Sequence, residues 1–159
     1  MNAGAPILIA YDGSDSARRA VHEAAELFGS RRALVVTVWE PGLAYQVSAM
    51  TADTTGLGPT PVDPAAAQEL DAASHAHADR VAEDGAAQAK SLGLQAEALA
   101  VADVGNVADA IVELAGKRDV AAIVVGSRGL SGLRARLEGS TSNAVVKQAS
   151  CPVVLVHED

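Results

Sequence analysis

Short, wholly apolar runs alternate along the chain with longer segments in which apolar residues recur at helical spacing. Ile7-Leu8-Ile9-Ala10 is the first such run, Ala33 to Trp39 is the second, and Val120 to Val125 is a strongly apolar later one. Runs that are apolar at every position are typical of strands covered on both faces, whereas one-sided strands alternate. The pattern therefore predicts strands at these places, inside a parallel sheet.

Between the strands, four segments predict helices with capping residues at their ends. These are a first helix capped by Ser14 or Asp15 and ended by Gly29, an alanine-rich helix that begins at Asp63-Pro64 and runs to about Ser91, a third that begins at Asn106 and ends at Gly116, and a short last one from Ser140 to Gln148.

Two further strands and one irregular segment complete the pattern. Leu94 to Val101 carries polar residues between alanines, which predicts a strand at a sheet edge, and Pro152 to His157 is a last strand. From Glu40 to Val62 the composition changes to Pro, Gly, Thr and Ser, which predicts a long, mobile or lid-like loop. The alternation of strand and helix predicts a doubly wound α/β fold, with a five-stranded parallel sheet in the order 3-2-1-4-5 and helices on both faces.

Composition narrows the class of protein. With 159 residues, 49% of them hydrophobic, the chain can bury one self-sufficient core, so we expect a single domain over residues 1–159. A net charge of −8 disfavours nucleic acid and anionic membranes as partners. The absence of a long apolar run or secretory leader predicts a cytoplasmic protein. Cys151 is the single cysteine, which excludes an internal disulfide framework.

Candidate chemistry concentrates where the first and fourth strands end, because these strands are neighbours in such a sheet. Asp12-Gly13-Ser14-Asp15 follows the first strand, and Gly126-Ser127-Arg128-Gly129 follows the fourth, nine residues before Gly139-Ser140-Thr141. Glycines allow backbone N–H groups to approach a phosphate, and the last helix begins with partly positive N–H groups.

In this interpretation each residue type suits one part of a nucleotide. Arg128 is a candidate phosphate clamp, Ser140 and Thr141 add hydroxyl donors, and the Asp12 carboxylate suits ribose hydroxyls. The strand end at Val38-Trp39 offers backbone groups and an apolar wall to a base. Taken singly, each feature also has an ordinary structural explanation as a turn glycine or a helix cap.

The spacing Gly-x2-Gly-x9-Gly-Ser, between a fourth strand and a final short helix, closely resembles the nucleotide-binding signature of the universal stress protein family. The resemblance covers essentially the whole chain, including Gly105 to Ile111 and Cys151 to Val156. The chain departs from the family pattern at Val107, where proline is common, and in the length of the segment from Glu40 to Val62.

The resemblance implies a Rossmann-like fold of the adenine nucleotide alpha hydrolase type. It implies a stress-response sensor or regulator that binds ATP, with Mg²⁺ as a candidate companion, and forms homodimers through the last strand, residues 152–157. Asp12 would contact ribose, Val38 would lie near adenine, and residues 125–129 and 139–141 would surround the phosphates. The residues expected at the nucleotide are Ala10, Tyr11, Asp12, Ser16, Val38, Val125, Gly126, Arg128, Gly129, Gly139, Ser140 and Thr141.

Other classes fit the sequence less well. No Gly-Lys-Ser/Thr motif is present for a Walker A site, and no Gly-x-Ser-x-Gly elbow for a hydrolase. Asp71, His75 and Asp79 share a helix face and could bind a metal, although a solvated face is the simpler interpretation. With no general base identified for the γ-phosphate, we expect no efficient enzyme. A nucleotide-independent dimeric interaction protein of the same fold remains the alternative.

Overall fold

The computed structural model describes residues 4–103, 105–127 and 140–157. Five parallel strands form one sheet in the order β3-β2-β1-β4-β5, as predicted. The strands are β1 (Ile7–Ala10), β2 (Arg32–Trp39), β3 (Gln95–Ala102), β4 (Ala122–Gly126) and β5 (Val153–Val156). The helices are α1 (Asp15–Phe28), α2 (Leu43–Thr55), α3 (Pro64–Ser91), α4 (Val107–Lys117) and α5 (Ser140–Gln148).

The central strand β1 is covered on both faces, which is why it is apolar at every position. Successive side chains of a strand point to opposite faces, so Ile7 and Ile9 enter one core and Leu8 and Ala10 the other. The first core packs β1 against α1 and α3, and the second packs it against α4 and α5. The doubly wound arrangement therefore follows directly from the unbroken apolar runs.

The predicted helix ends are largely confirmed. Ser14 caps α1, its hydroxyl oxygen accepting from the Ala17 N–H at 3.1 Å, and Gly29 ends that helix with φ +60°. Asp63 caps α3, with Pro64 at its first position. Asn106 caps α4 as expected, but α4 runs one residue past Gly116, to Lys117.

The prediction of a loop over residues 40–62 is wrong for its central part, where α2 forms between Gly42 and Gly56, both with positive φ. Of α2's residues only Ser48 is buried, and the apolar side chains of Tyr45, Val47 and Met50 are exposed, so α2 lacks the buried apolar stripe of a packed helix. Threonine hydroxyls of α2 instead donate to carbonyls three or four residues earlier. The Ser48 hydroxyl also donates to the Thr60 carbonyl at 2.6 Å, which ties α2 to the segment after it.

On the Asp71, His75 and Asp79 face of α3, the side chains of His75 and Asp79 are exposed, as expected of a solvated face, and the face also makes contacts within the protein. The His75 ring stacks on Trp39 at the end of β2, with ring centroids 5.0 Å apart and planes 13° apart. An Asp71 carboxylate oxygen accepts from the Gly42 N–H at 2.9 Å, and His75 lies 3.6 Å from Asp79. These contacts connect α3 to the segment that follows β2.

The order of the strands leaves β3 and β5 at the two edges, as the alternating residues of β3 predicted. The side chains of Gln95 and Glu97 in β3 are exposed. Among the helices of the described ranges, none combines the length and apolar character needed to cross a bilayer.

Candidate functional site

A cleft of about 330 Å³ opens at the carboxyl edge of the sheet, on the side covered by α4 and α5. Its walls come from the segments after β2 and β3, the start of α4, and α5. The lining residues are Glu40, Asp103, Gly105, Asn106, Val107, Ala108, Ser140, Thr141, Ala144 and Gln148. This volume is at the lower end of the roughly 300–1,000 Å³ range of small-molecule sites. In open parallel sheets ligands bind at this edge, near the point where the strand order reverses.

Two helices begin at the cleft. Asn106 precedes α4, and Ser140 and Thr141 are the first residues of α5. The first turn of a helix presents N–H groups that have no partner within the helix, and the helix dipole makes that end partly positive. The cleft therefore offers backbone donors, with hydroxyl donors from Ser140 and Thr141, to an anionic ligand.

The α4 end of the cleft is fixed by side-chain hydrogen bonds. The Asn106 side-chain oxygen accepts from the Asp109 N–H at 2.9 Å, and an Asp103 carboxylate oxygen accepts from the Gly105 N–H at 2.6 Å. The Asp103 N–H donates to the Trp39 carbonyl at 2.8 Å. These bonds fix the segment after β3 against the end of β2.

The turn after β1 is organised by Asp12. One Asp12 carboxylate oxygen accepts from the Ser14 N–H at 3.0 Å, across Gly13 with its φ of +81°. Ser14 in turn caps α1. The Asp12 carboxylate is half-buried, and the lone pairs that this bond does not use suit hydroxyl donors.

Gly126, the last residue of β4, lies against the first turn of α1. A Cβ built on Gly126 would lie 2.9 Å from the Ser16 carbonyl oxygen and 3.0 Å from its carbon. The next residue, Ser127, donates its N–H to the Val156 carbonyl of β5 at 2.8 Å. A residue without Cβ is therefore required here for β4 to end this close to α1.

The predicted site residues do not all meet at the cleft, because Asp12, Ser16 and Gly126 lie around the start of α1 and the end of β4, outside its lining. Ala10, Val38 and Val125 belong to the core on the cleft side of the sheet, whereas Tyr11 packs into the opposite core. Ser140 and Thr141 line the cleft itself. Arg128, Gly129 and Gly139 lie outside the described residues.

The backbone of Tyr11 is held against β2 by two hydrogen bonds. Its N–H donates to the Val36 carbonyl at 2.8 Å, and its carbonyl accepts from the Thr37 hydroxyl, also at 2.8 Å. Its ring is accommodated by Gly85 of α3, where an added Cβ would lie 2.7 Å from a ring carbon. Tyr11 thus positions the Asp12 turn from the far side of the sheet.

The predicted site residue Ser16 is also buried, and it lies against Gly126.

Sequence reasoning missed the acidic part of the cleft. Glu40 was assigned to a loop, and Asp103 was not among the expected site residues. Both carboxylates line the cleft beside the start of α4. The ends of β2 and β3 meet there because these strands pair along their full length, from Arg32 opposite Gln95 to Trp39 opposite Ala102.

The described lining of the cleft contains acidic residues. Its lining includes two carboxylates, Glu40 and Asp103, and among the lining residues that the structure describes none is a lysine or arginine. Two groups on α4 and before β5 have displaced pKa values. Burial raises the pKa of the Cys151 thiol, and the hydrogen bond from Lys117 lowers the pKa of the Glu113 carboxyl.

Residues 5–157 match the model of the universal stress protein family. The chain belongs to this family. Among universal stress proteins, it is 35% identical over 153 residues to the Thermus aquaticus universal stress protein in QAH/OAS sulfhydrylase 3'region, covering 94% of this chain and 96% of that protein. It is 31% identical over 153 residues to YxiE of Bacillus subtilis, covering 94% and 97%.

Solved universal stress proteins share the fold. A universal stress protein in complex with cAMP is 26% identical, with a TM-score of 0.63 over 99% of this chain and 100% of that one. A family member from Arabidopsis thaliana with AMP bound is 20% identical, with a TM-score of 0.62 over 98% and 92%. The protein from Archaeoglobus fulgidus in complex with dAMP is 23% identical, with a TM-score of 0.58 over 95% and 96%.

Proposed function

We propose that this universal stress protein binds an adenine nucleotide, ATP or a related one, at the carboxyl edge of its sheet and acts as a stress-response regulator. The observation that carries the proposal is the meeting of the starts of α4 and α5 at one cleft, at the carboxyl edge of the parallel sheet. Two helix starts supply donors suited to phosphate oxygens.

For the other parts of a nucleotide we propose residues outside the cleft lining, at the ends of β1 and β2. The Asp12 carboxylate, oriented by the Ser14 N–H, suits ribose hydroxyls, and the half-buried end of β2 at Val38 offers an apolar wall to the base. The complex of a 26% identical universal stress protein with cAMP supports an adenine nucleotide as the class of ligand. Under this proposal ATP enters together with Mg²⁺, which offsets the charge of its phosphates.

The proposed regulatory role combines the nucleotide with a homodimer. β5 is an edge strand, and Val153, Val154 and Leu155 are only half-buried in the single chain. An edge strand with apolar side chains is a template for pairing with a second copy. A nucleotide held between α4 and α5 would thus lie close to the dimer surface, and its binding would be communicated to partners of the dimer in the cytoplasm.

We propose no efficient catalysis, and at most a slow, incidental hydrolysis of ATP. None of the described lining residues is a histidine or lysine. Glu40 and Asp103 are the lining carboxylates, and their place beside the start of α4 is better suited to setting the charge of the site than to activating water on a triphosphate. Sustained release of phosphate at several turnovers per minute would contradict this part of the proposal.

The test combines identification of the ligand with a matched pair of variants. Mass spectrometry of nucleotide released from freshly purified protein identifies what the protein retains, and calorimetry measures the affinities for ATP, ADP, AMP and cAMP. Thr141→Val deletes a hydroxyl in the first turn of α5 and should weaken binding about tenfold. Thr51→Val deletes an exposed helical hydroxyl on α2 and should leave binding unchanged. A wild-type protein that binds none of the four would favour the nucleotide-independent interaction protein.

A further inference from the structure

The helix α2 turns apolar side chains toward solvent. Val47 and Met50 are 52% and 57% exposed, and Leu43, four residues before Val47, is half-buried. Residues four and seven positions apart lie on one face of a helix, so these three form one surface, which we call the outer face of α2. At about 100° per residue, Met50 lies about 200° around the helix from the buried Ser48. The outer face therefore points away from the rest of the chain.

The helix α2 is held in place by its neighbours in sequence and space. The Gly42 N–H donates to an Asp71 carboxylate oxygen of α3 at 2.9 Å, and the Ser48 hydroxyl donates to the Thr60 carbonyl at 2.6 Å. The helix α3 in turn packs on β2 and β3, at the opposite end of the sheet from β5. A dimer formed through β5 would therefore leave the outer face of α2 uncovered in both subunits.

Charge favours a second copy of this chain as the occupant of the outer face. The chain carries a net charge of −8, so two copies repel each other on average. Asp53 is the single charged residue between positions 41 and 62, although charged residues make up 20% of the whole sequence. Two copies that meet along α2 therefore bring the least like charge together.

An antiparallel pair of α2 helices also brings opposite charges together. In a two-fold pair centred on Val47, Asp53 of each copy lies beside the start of the other α2, because residues equally far from the centre face each other. Within the described chain, that start has no side-chain cap at Gly42 and no acidic residue in its first turn. A helix start is partly positive and is stabilised by a nearby carboxylate. The outer face and its one charge are thus self-complementary, as a two-fold interface requires.

From these observations we infer that α2 is a self-association surface, on which the outer face of α2 from a second copy packs antiparallel across a two-fold axis. The helix has 13 residues and is about 20 Å long, so the pair buries less than the roughly 800 Å² on each partner that is usual for stable complexes. The association is therefore weak, with a dissociation constant on the order of 100 μM. It is independent of the nucleotide site, and it would join dimers formed through β5 into larger assemblies.

The experiment is sedimentation velocity of the full chain, over concentrations that span the expected dissociation constant. The test variant Val47→Glu places like charges opposite each other at the centre of the pair, at a position that is exposed in the single chain. It should weaken the association by about tenfold or more. The control Ala49→Glu adds the same charge to an exposed position of α2, about 200° around the helix from Val47, and should leave the association unchanged.

A mixture of variants identifies the occupant. Val47→Lys alone should associate as weakly as Val47→Glu, whereas an equimolar mixture of the two should regain the wild-type association, because opposite charges then face each other. Recovery would also show that both variants are folded. Weakening without recovery would mean that the outer face contacts something other than its own copy, and would overturn the pairing. Wild-type protein without any association that Val47→Glu removes, or equal weakening by Ala49→Glu, would overturn it as well.

Discussion

Substitution of Gly126 by alanine tests the close approach of β4 to α1. The added Cβ would lie 2.9 Å from the Ser16 carbonyl oxygen and 3.0 Å from its carbon. Comfortable contacts between carbon atoms are about 3.5–4.0 Å, so the two backbones must separate by about half an ångström. The added Cβ would also overlap the Ser16 Oγ, which a change of rotamer can move, but the two backbone contacts would remain.

We expect Gly126→Ala to lower the free energy of unfolding by about 2–3 kcal/mol, which is the upper part of the usual cost of overpacking. For a chain of this size the melting temperature should fall by about 5–10 °C. Urea unfolding followed by the fluorescence of Trp39, the single tryptophan, measures the first quantity. Circular dichroism on heating measures the second.

Gly116→Ala is the matched control. Gly116 lies in the last turn of α4, and an added Cβ would meet nothing within 4 Å. Alanine is the better helix former, so this variant should be unchanged or more stable by up to about 1 kcal/mol. If Gly126→Ala were as stable as Gly116→Ala, the close packing of β4 on α1 would be refuted.

Three further predictions concern single contacts. Thr37→Val removes the hydroxyl that donates to the buried Tyr11 carbonyl and should cost about 1–3 kcal/mol in urea unfolding; a neutral result would mean that this bond does not hold the strand end. Ser14→Ala removes the cap of α1 and should cost about 1 kcal/mol, whereas Ser14→Asp should retain most of the stability; equal losses would argue against capping. Burial raises the pKa of the Cys151 thiol. The rate of its reaction with a disulfide reagent should therefore rise with pH, and the midpoint of that rise should lie above the midpoint for free cysteine. A midpoint at or below that of free cysteine would contradict the burial.

The sheet could be predicted from the sequence because its strands are short and apolar throughout. Burial on both faces imposes that pattern on β1 and β4, and the exposed Gln95 and Glu97 marked β3 as an edge. The capping residues Ser14, Asp63 and Asn106 act within a few residues of themselves, so they too are visible locally.

The helix α2 could not be predicted in the same way. It buries only Ser48, so no buried apolar stripe marks it, and its ends at Gly42 and Gly56 look like those of a loop. Its contacts, such as the bond from the Gly42 N–H to Asp71, depend on α3 lying beside it. Such contacts follow from the three-dimensional arrangement and leave no periodic signal.

The site was predictable only in part. Ser140 and Thr141 were identified from the glycine spacing, and the structure places both at the cleft. Glu40 and Asp103 were missed because they meet only when the ends of β2 and β3 pair, more than sixty residues apart in sequence. A local motif cannot reveal a wall assembled from two distant strand ends.

The most direct test of the proposed site is a titration of ¹⁵N-labelled protein with cAMP, followed by two-dimensional NMR of the backbone amides. The nucleotide-binding account predicts the largest shifts at Gly105 to Ala108 and at Ser140 and Thr141, smaller ones at Asp12 and Val38, and none along the outer face of α3. Shifts confined to α3 would contradict this account. So would the absence of any shift with cAMP, AMP or Mg²⁺-ATP at millimolar concentrations.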